Sequence, residues 1–177
     1  MITIAIDAST KSTGVAIFKD GQLQRYKNIQ DNGRNVLRRI KFMTDEIEKV
    51  YESTRTRDGE DGRVKIVMEQ VIPDNLNEAK WSYNQTTFKA LFYLQAAIVL
   101  MFDSHGLDVE FILPSQWRKI CGIDQTKYAN RDILKARDVA FVKEKFGIDV
   151  NDDIADAICI GWAKLNEQPQ PQAFNWE

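Results

Sequence analysis

One histidine and two cysteines are the only imidazole and thiolate metal ligands among 177 residues. Cys121 and Cys159 stand far apart and without Cys-x-x-Cys spacing. Neither a zinc site nor a disulfide framework is expected, and the pair suits a reducing compartment. His105 follows a long apolar stretch, where capping of a helix end is expected rather than catalysis. The longest apolar stretch, Ala90 to Phe102, is broken by Gln95. It falls short of the ~20 residues a membrane-crossing helix needs, so no membrane partner is expected. The opening Met-Ile-Thr-Ile-Ala-Ile-Asp has no basic segment before its apolar residues and does not read as a signal peptide. There is no internal repeat. With 44% hydrophobic and 28% charged residues the chain is expected to form one soluble globular domain, residues 1–165. A polar, Pro-containing tail, 166–177, is expected to be disordered.

An excess of positive charge is also missing. The net charge of −2 argues, at face value, against a nucleic-acid binder. The distribution says more than the sum. Ser115 to Lys145 carries eight Lys/Arg against four acids, whereas the residues from Phe146 onward carry six acids and only Lys164. A basic segment thus precedes an acidic one. A pair of solvated helices would show the same pattern.

The chain opens on strand signals. Ile2 to Ile6 is an apolar run ending on Asp7, Val15 to Phe18 is a second, and Asp20-Gly21 marks a tight hairpin before a third strand, Leu23 to Ile29. Helical spacing predicts a helix over Asn35 to Tyr51, followed by a charged surface loop from Ser53 to Arg63. Val64 to Glu69 reads as a buried strand ending on a carboxylate. A long helix is expected from Asn77 to Ser104, apolar nearly all round from Phe88 to Phe102. Such a helix is covered on more than one side: by the sheet, and by either the C-terminal helix or a second subunit. Val109 to Leu113 is a fifth strand. A short helix at Trp117, a basic helix over Tyr128 to Lys145 and a last helix over Asp152 to Leu165 complete the chain. The pattern predicts an α/β fold: a mixed five-stranded sheet, made of a three-strand meander plus two further strands, with helices on both faces.

Three places in this order hold acids that the fold can bring together. Asp7 and Glu69 each follow an apolar strand and would emerge side by side if those strands are neighbours. The last helix begins Asn151-Asp152-Asp153-Ile154-Ala155-Asp156, in which Asp156 shares a face with Asp153 and with Asp152. Capping and the helix dipole explain acids at the first positions. They do not explain Asp156, on an otherwise apolar helix. Oxygen-only donors without a histidine or cysteine cluster select hard cations, Mg²⁺ or Mn²⁺. Two such ions, about 4 Å apart, serve in-line phosphodiester displacement.

Ile4-Ala5-Ile6-Asp7-Ala8-Ser9, Val67-Met68-Glu69-Gln70-Val71 and Asp153-Ile154-Ala155-Asp156-Ala157 resemble, in order and spacing, the three acidic motifs of the RuvC-type Holliday junction resolvases, phage-type members among them. The resemblance spans residues 1 to about 165. It implies an RNase H-like fold and a metal-dependent, structure-selective endonuclease that resolves Holliday junctions by paired phosphodiester hydrolysis. It further implies Asp7, Glu69, Asp153 and Asp156 as catalytic ligands of two Mg²⁺ (or Mn²⁺) ions. The family pattern, rather than geometry, selects Asp153 over Asp152. The long helix from Asn77 to Ser104 would form a homodimer interface, and the setting would be the cytoplasm of a bacterial or phage-infected cell. Arg118, Lys119, Lys127 and Arg131 would meet DNA. Bacterial members carry a large aromatic wedge just after the Glu-Gln-Val motif. Here that place holds Ile72, with Trp81 and Tyr83 further on. The choice between four-way junctions and other branched DNA therefore stays open.

Two other classes compete. Asp7-Ala8-Ser9-Thr10-Lys11-Ser12-Thr13-Gly14 is similar to the first phosphate loop of actin-like ATP-binding kinases and ATPases, which use two related subdomains where 177 residues supply one. A non-catalytic relative that only binds branched DNA is the other.

Overall fold

The structure, a computed structural model, describes residues 1–58, 63–71, 78–126 and 129–167, with the backbone alone at 56–58 and 78–86. Strands β1 (Ile2–Asp7), β2 (Ser12–Lys19) and β3 (Gln22–Gln30) form the expected antiparallel meander. Asp20 and Gly21 join β2 to β3 with φ of 50° and 82°, the positive values a two-residue hairpin turn requires. Helix α1 (Val36–Asp58) leads to β4 (Val64–Glu69), and α2 (Glu78–Ser104) leads to β5 (Val109–Ile112). Helices α3 (Pro114–Ile120), α4 (Arg131–Phe146) and α5 (Asp152–Asn166) follow. The sheet order is β3-β2-β1-β4-β5, with β4 parallel to β1 and β5 parallel to β4. This is the mixed five-stranded sheet that the strand pattern predicts.

Alternation along each strand divides the core in two. Ile4 and Ile6 of β1, Val15 and Ile17 of β2, and Ile66 and Met68 of β4 pack with Met43, Ile47, Leu94 and Ile98 beneath α1 and α2. Ala5, Ala16, Phe18 and Val67 face the other way and pack with Trp117, Val142 and Ile158 of α3, α4 and α5. Asp7 and Glu69 have the parity of Ala5 and Val67, so both belong to the α5 face. The parallel register Ile6↔Met68 makes them the next step on adjacent strands.

Helix α5 lies close on β1 and β2 because its residues are small where it meets them. Ala155, Ala157, Gly161 and Ala163 are all buried. A Cβ on Gly161 would stand 2.3 Å from Phe18 Cε2 and 3.0 Å from Ala5 Cβ.

Several boundaries differ from the sequence expectation. Helix α1 continues to Asp58 through what reads as a charged loop. Thr54 is buried there, and Arg25 of β3 donates to the Thr54 hydroxyl at 2.9 Å, a tertiary contact that local composition does not reveal. Helix α4 starts at Arg131 rather than Tyr128, because Asn130 caps it by accepting from Ile133 N at 2.9 Å. His105 does not cap α2 with its ring. It reaches Glu48 of α1 at 3.0 Å and packs on Tyr51. By length and composition alone Thr87–Ser104 is apolar enough to cross a membrane, which corrects the expectation that no stretch is. In the fold, Leu94, Ile98 and Phe102 of that stretch pack into the core beneath α1. Helix α5 lies on the opposite face of the sheet and does not cover α2, so Phe92, Tyr93 and Leu100 are exposed. Ile72, Lys127 and the tail from residue 168 lie outside the described residues, as do the side chains of Trp81 and Tyr83.

Gly161→Ala should therefore force the Phe18 ring or α5 to shift. The expected cost is about 1–3 kcal/mol of unfolding free energy, read as a lower urea midpoint with unchanged slope. A midpoint equal to wild type would show that α5 has room to spare.

Candidate metal centre

Three elements meet at the carboxyl ends of β1 and β4. Asp7 closes β1, Glu69 closes β4, and Asn151 caps α5 by accepting from Ile154 N at 3.0 Å, which sets Asp152, Asp153 and Asp156 over the strand ends. Asp7 pairs across β2 with Gly14. A Cβ on Gly14 would lie 1.9 Å from the main-chain oxygen of Asp153 and 3.2 Å from Ala157 Cβ. Only glycine lets the first turn of α5 rest directly on the sheet beside Asp7. The hydroxyl of Ser12, two residues earlier, donates to Asp153 Oδ2, and Asn28 lies 3.0 Å from that hydroxyl on its other side.

These carboxyls disturb one another. Burial raises the Asp7 pKa well above its ordinary value, the negative charges of Glu69 and Asp153 raise it further, and Lys135 and Arg118 pull against them. Burial raises Glu69 as well, opposed first by the hydrogen bond from Trp117. Asp156 is pushed up to about 10 by burial, then by Asp7 and by Asp138. Its Oδ1 is buried without a hydrogen-bond partner. Asp152 behaves differently. Lys135 donates to it and lowers its pKa, so this acid is turned to α4 and paired there.

Among the described residues no three acid, histidine or cysteine side chains stand close enough to chelate an ion as they are. Like charges do not gather to coordination distance without cations or protons between them. The donor set nevertheless fits a hard divalent cation. It is all oxygen, it carries more negative charge than the site neutralises, and one buried oxygen of Asp156 has no other partner. Asp7, Glu69 and Asp156 are the closest candidates, with Asp153 beside them on the same helix turn.

Sequence reading missed five contributors. Gly14 and Ser12 lie at the start of β2, where nothing local marks them as neighbours of α5. Trp117 is fully buried and its indole N–H donates to Glu69 Oε2 at 2.8 Å. Asp138 of α4 is also fully buried. It falls four residues after Leu134 and four before Val142, so helical spacing puts an acid on the inward stripe of a helix that otherwise reads as basic. Lys135 reaches Asp152 and acts electrostatically on Asp7, Asp153 and Asp156. Of the cations expected at DNA, Arg118 is turned inward instead. Its guanidinium forks onto Asp138, with Nη2–Oδ2 at 2.9 Å. A buried acid needs that partner. Lys119 and Arg131 are exposed.

The raised acids fix a pH dependence. A carboxyl whose folded pKa lies above its unfolded one binds more protons when folded. Its stabilising contribution is full below the unfolded value near 4 and is lost as pH rises towards the folded value. For Asp156 that window runs up to about 10. In chelator, stability should fall from pH 5 to pH 9, and Mg²⁺ should restore it. Asp156→Asn should flatten that slope and stabilise the metal-free protein by about 1–3 kcal/mol at pH 8. Urea titrations with and without Mg²⁺ across this range check both statements. A slope unchanged by the substitution would remove Asp156 from the buried cluster.

No family model matches the sequence, and no curated protein sequence matches it. Among solved structures the chain is similar to Thermus thermophilus RuvC in complex with a Holliday junction substrate, with a TM-score of 0.64, 14% identity and 92% of each chain covered. It is similar also to a second Thermus thermophilus RuvC structure, with a TM-score of 0.61 at the same 14% identity and 92% coverage of each chain. The yeast mitochondrial Holliday junction resolvase is a weaker match, at a TM-score of 0.49 and 12% identity over 93% of this chain and 78% of that one. The chain thus has the RNase H-like α/β fold of RuvC.

Proposed function

We propose that this protein is a divalent-metal-dependent endonuclease that cuts branched DNA, four-way junctions among its substrates, as a homodimer. One observation carries the reading. Asp7 and Glu69 leave adjacent parallel strands at the same level, on the face where Asp156 of α5 presents a buried oxygen with no partner. The RuvC fold, with a member solved on a Holliday junction, supports the choice of substrate. The resemblance of the three acidic motifs to those of the resolvases supports the choice of these acids as the ligands. The setting this implies is the cytoplasm of a bacterial or phage-infected cell.

Asp7, Glu69, Asp153 and Asp156 would hold the cations, two Mg²⁺ per site, with Mn²⁺ as a substitute. Bound there, such ions supply the positive charge that in-line hydrolysis needs at the attacking and leaving oxygens. The residues of the chain do the rest. Gly14 and Ser12 seat and orient Asp153. Lys135, at the edge of the cluster, holds Asp152 towards α4 and away from the cations. Lys119 and Arg131, both exposed, contact the backbone of the arms. Helix α2 presents Phe92, Tyr93 and Leu100 outward, with Ala96 between them. A two-fold dimer through this stripe would bring two centres to one symmetric branched substrate.

Asp7→Asn, Glu69→Gln and Asp156→Asn should each lower cleavage at least ~10³-fold, the scale of losing a charge aimed at the transition state, while junction binding persists. Gel assays with Mg²⁺ on four-way, three-way and linear duplex DNA test this directly. Absence of metal-dependent cutting on every branched substrate would sink the proposal. Leu100→Glu should convert dimers to monomers in sedimentation runs. A variant that stays dimeric would move the interface away from α2.

A further inference from the structure

Glu69 ends β4 with its side chain turned to the α5 face, and its neighbours there are unusual. Its Oε2 accepts from Trp117 Nε1 at 2.8 Å. Its main-chain oxygen accepts from Gln95 Nε2 of α2 at 2.7 Å. Trp117 sits in α3 with no exposed surface. The Arg118 guanidinium stacks over the indole, its Cζ 4.1 Å from a ring centroid. The same guanidinium holds Asp138 through Nε, at 3.2 and 3.1 Å, and through Nη2, at 2.9 Å. Asp138 in turn bears on Asp156. A continuous path of contacts, Glu69–Trp117–Arg118–Asp138, thus links two acids carried by different elements.

We propose that Trp117 is a positioning residue for Glu69, its indole N–H fixing Oε2 so that Oε1 is the oxygen presented to a divalent cation. This rests on the reading above that the carboxyl cluster holds metal. The donor type supports it. An indole N–H donates and cannot accept, so the pair has one geometry. It is also uncharged. A lysine or arginine in its place would neutralise Glu69 and compete with the cation, whereas a neutral donor orients the carboxylate and leaves its charge for the ion. The stacked Arg118, fixed by its fork to a buried carboxylate, keeps the indole from turning away. Arg118 therefore acts behind the site, which explains why it faces inward and not towards DNA.

The test needs the hydrogen bond removed without emptying the core. Trp117→Phe removes the donor and part of the ring. The benzothienylalanine analogue at 117, with sulfur replacing the N–H, keeps the shape. Mn²⁺ binding is measured by calorimetry on the DNA-free protein, and cleavage of a four-way junction is followed against Mg²⁺ concentration. The expected result is about 10–100-fold weaker Mn²⁺ binding in both variants, the usual size for loss of a group that orients a ligand. The cleavage deficit should shrink as Mg²⁺ rises. In a Glu69→Gln background the change at 117 should have no further effect. If the benzothienyl protein binds Mn²⁺ within about twofold of wild type while wild type binds and cuts, Trp117 only fills space and the nuclease reading stands. If wild type itself takes up no Mn²⁺, the metal reading fails and the positioning role fails with it.

Discussion

Taking a group of neighbouring carboxyls out of water is the constraint that the rest of this structure answers. Burial raises the proton affinity of Asp7, Glu69 and Asp156; the charges of Glu69 and Asp153 add to it at Asp7, Asp138 adds to it at Glu69, and Asp7 and Asp138 add to it at Asp156. Each acid is fixed by an element the core needs elsewhere. The parallel β1–β4 register sets Asp7 beside Glu69. The seat of α5 on Gly14, and of Gly161 on Phe18, sets Asp153 and Asp156 above them. Pulling the acids apart would mean lifting α5 off Ala5, Ala16 and Phe18, a buried apolar contact that runs the length of the helix. Packing therefore holds the acids together at a cost that the proposed cations would relieve.

The sequence carried more of the fold than of the site's surroundings. The meander, the two βα steps and the five strands were legible because each strand is a short apolar run closed by a turn signal. Asp7 and Glu69 were legible because an acid closing a buried strand stands out. What stayed hidden depends on tertiary neighbours. The length of α1 turns on Thr54 meeting Arg25, twenty-nine residues away in the chain. The roles of Gly14 and Ser12 need α5 in place, 141 residues beyond Ser12. Trp117 reads as ordinary core until β4 is set alongside it. Asp138 alone was within reach, since helical spacing puts it on the buried stripe of α4.

The sheet also separates two tasks. One face carries α3, α4, α5 and the carboxyl cluster. The other carries α1 and α2, and α2 leaves an aromatic and aliphatic stripe uncovered. Gln95 connects them. It is buried on α2, interrupts the apolar stretch that contains it, and donates to the main chain of Glu69. A polar residue inside an apolar helix is costly unless bonded, so this contact ties the position of α2 to the end of β4. Association through the outer stripe of α2, as proposed, would bear on the element that anchors Glu69.

The basic segment that suggested DNA now looks less basic. Arg118 pairs with Asp138, Lys135 with Asp152, Arg137 with Asp124 and Lys143 with Asp149. Much of the charge counted between Ser115 and Lys145 is therefore spent within the protein. Counterion release scales with the phosphates neutralised, so a surface that has paired its cations internally gains less affinity from the DNA backbone than the charge count implies. Recognition then has to rest more on the shape of the substrate and on the cation site itself. The net charge of −2 is consistent with that balance: the proposed enzyme would hold a branch where two centres and their metal can both engage, and hold plain duplex weakly.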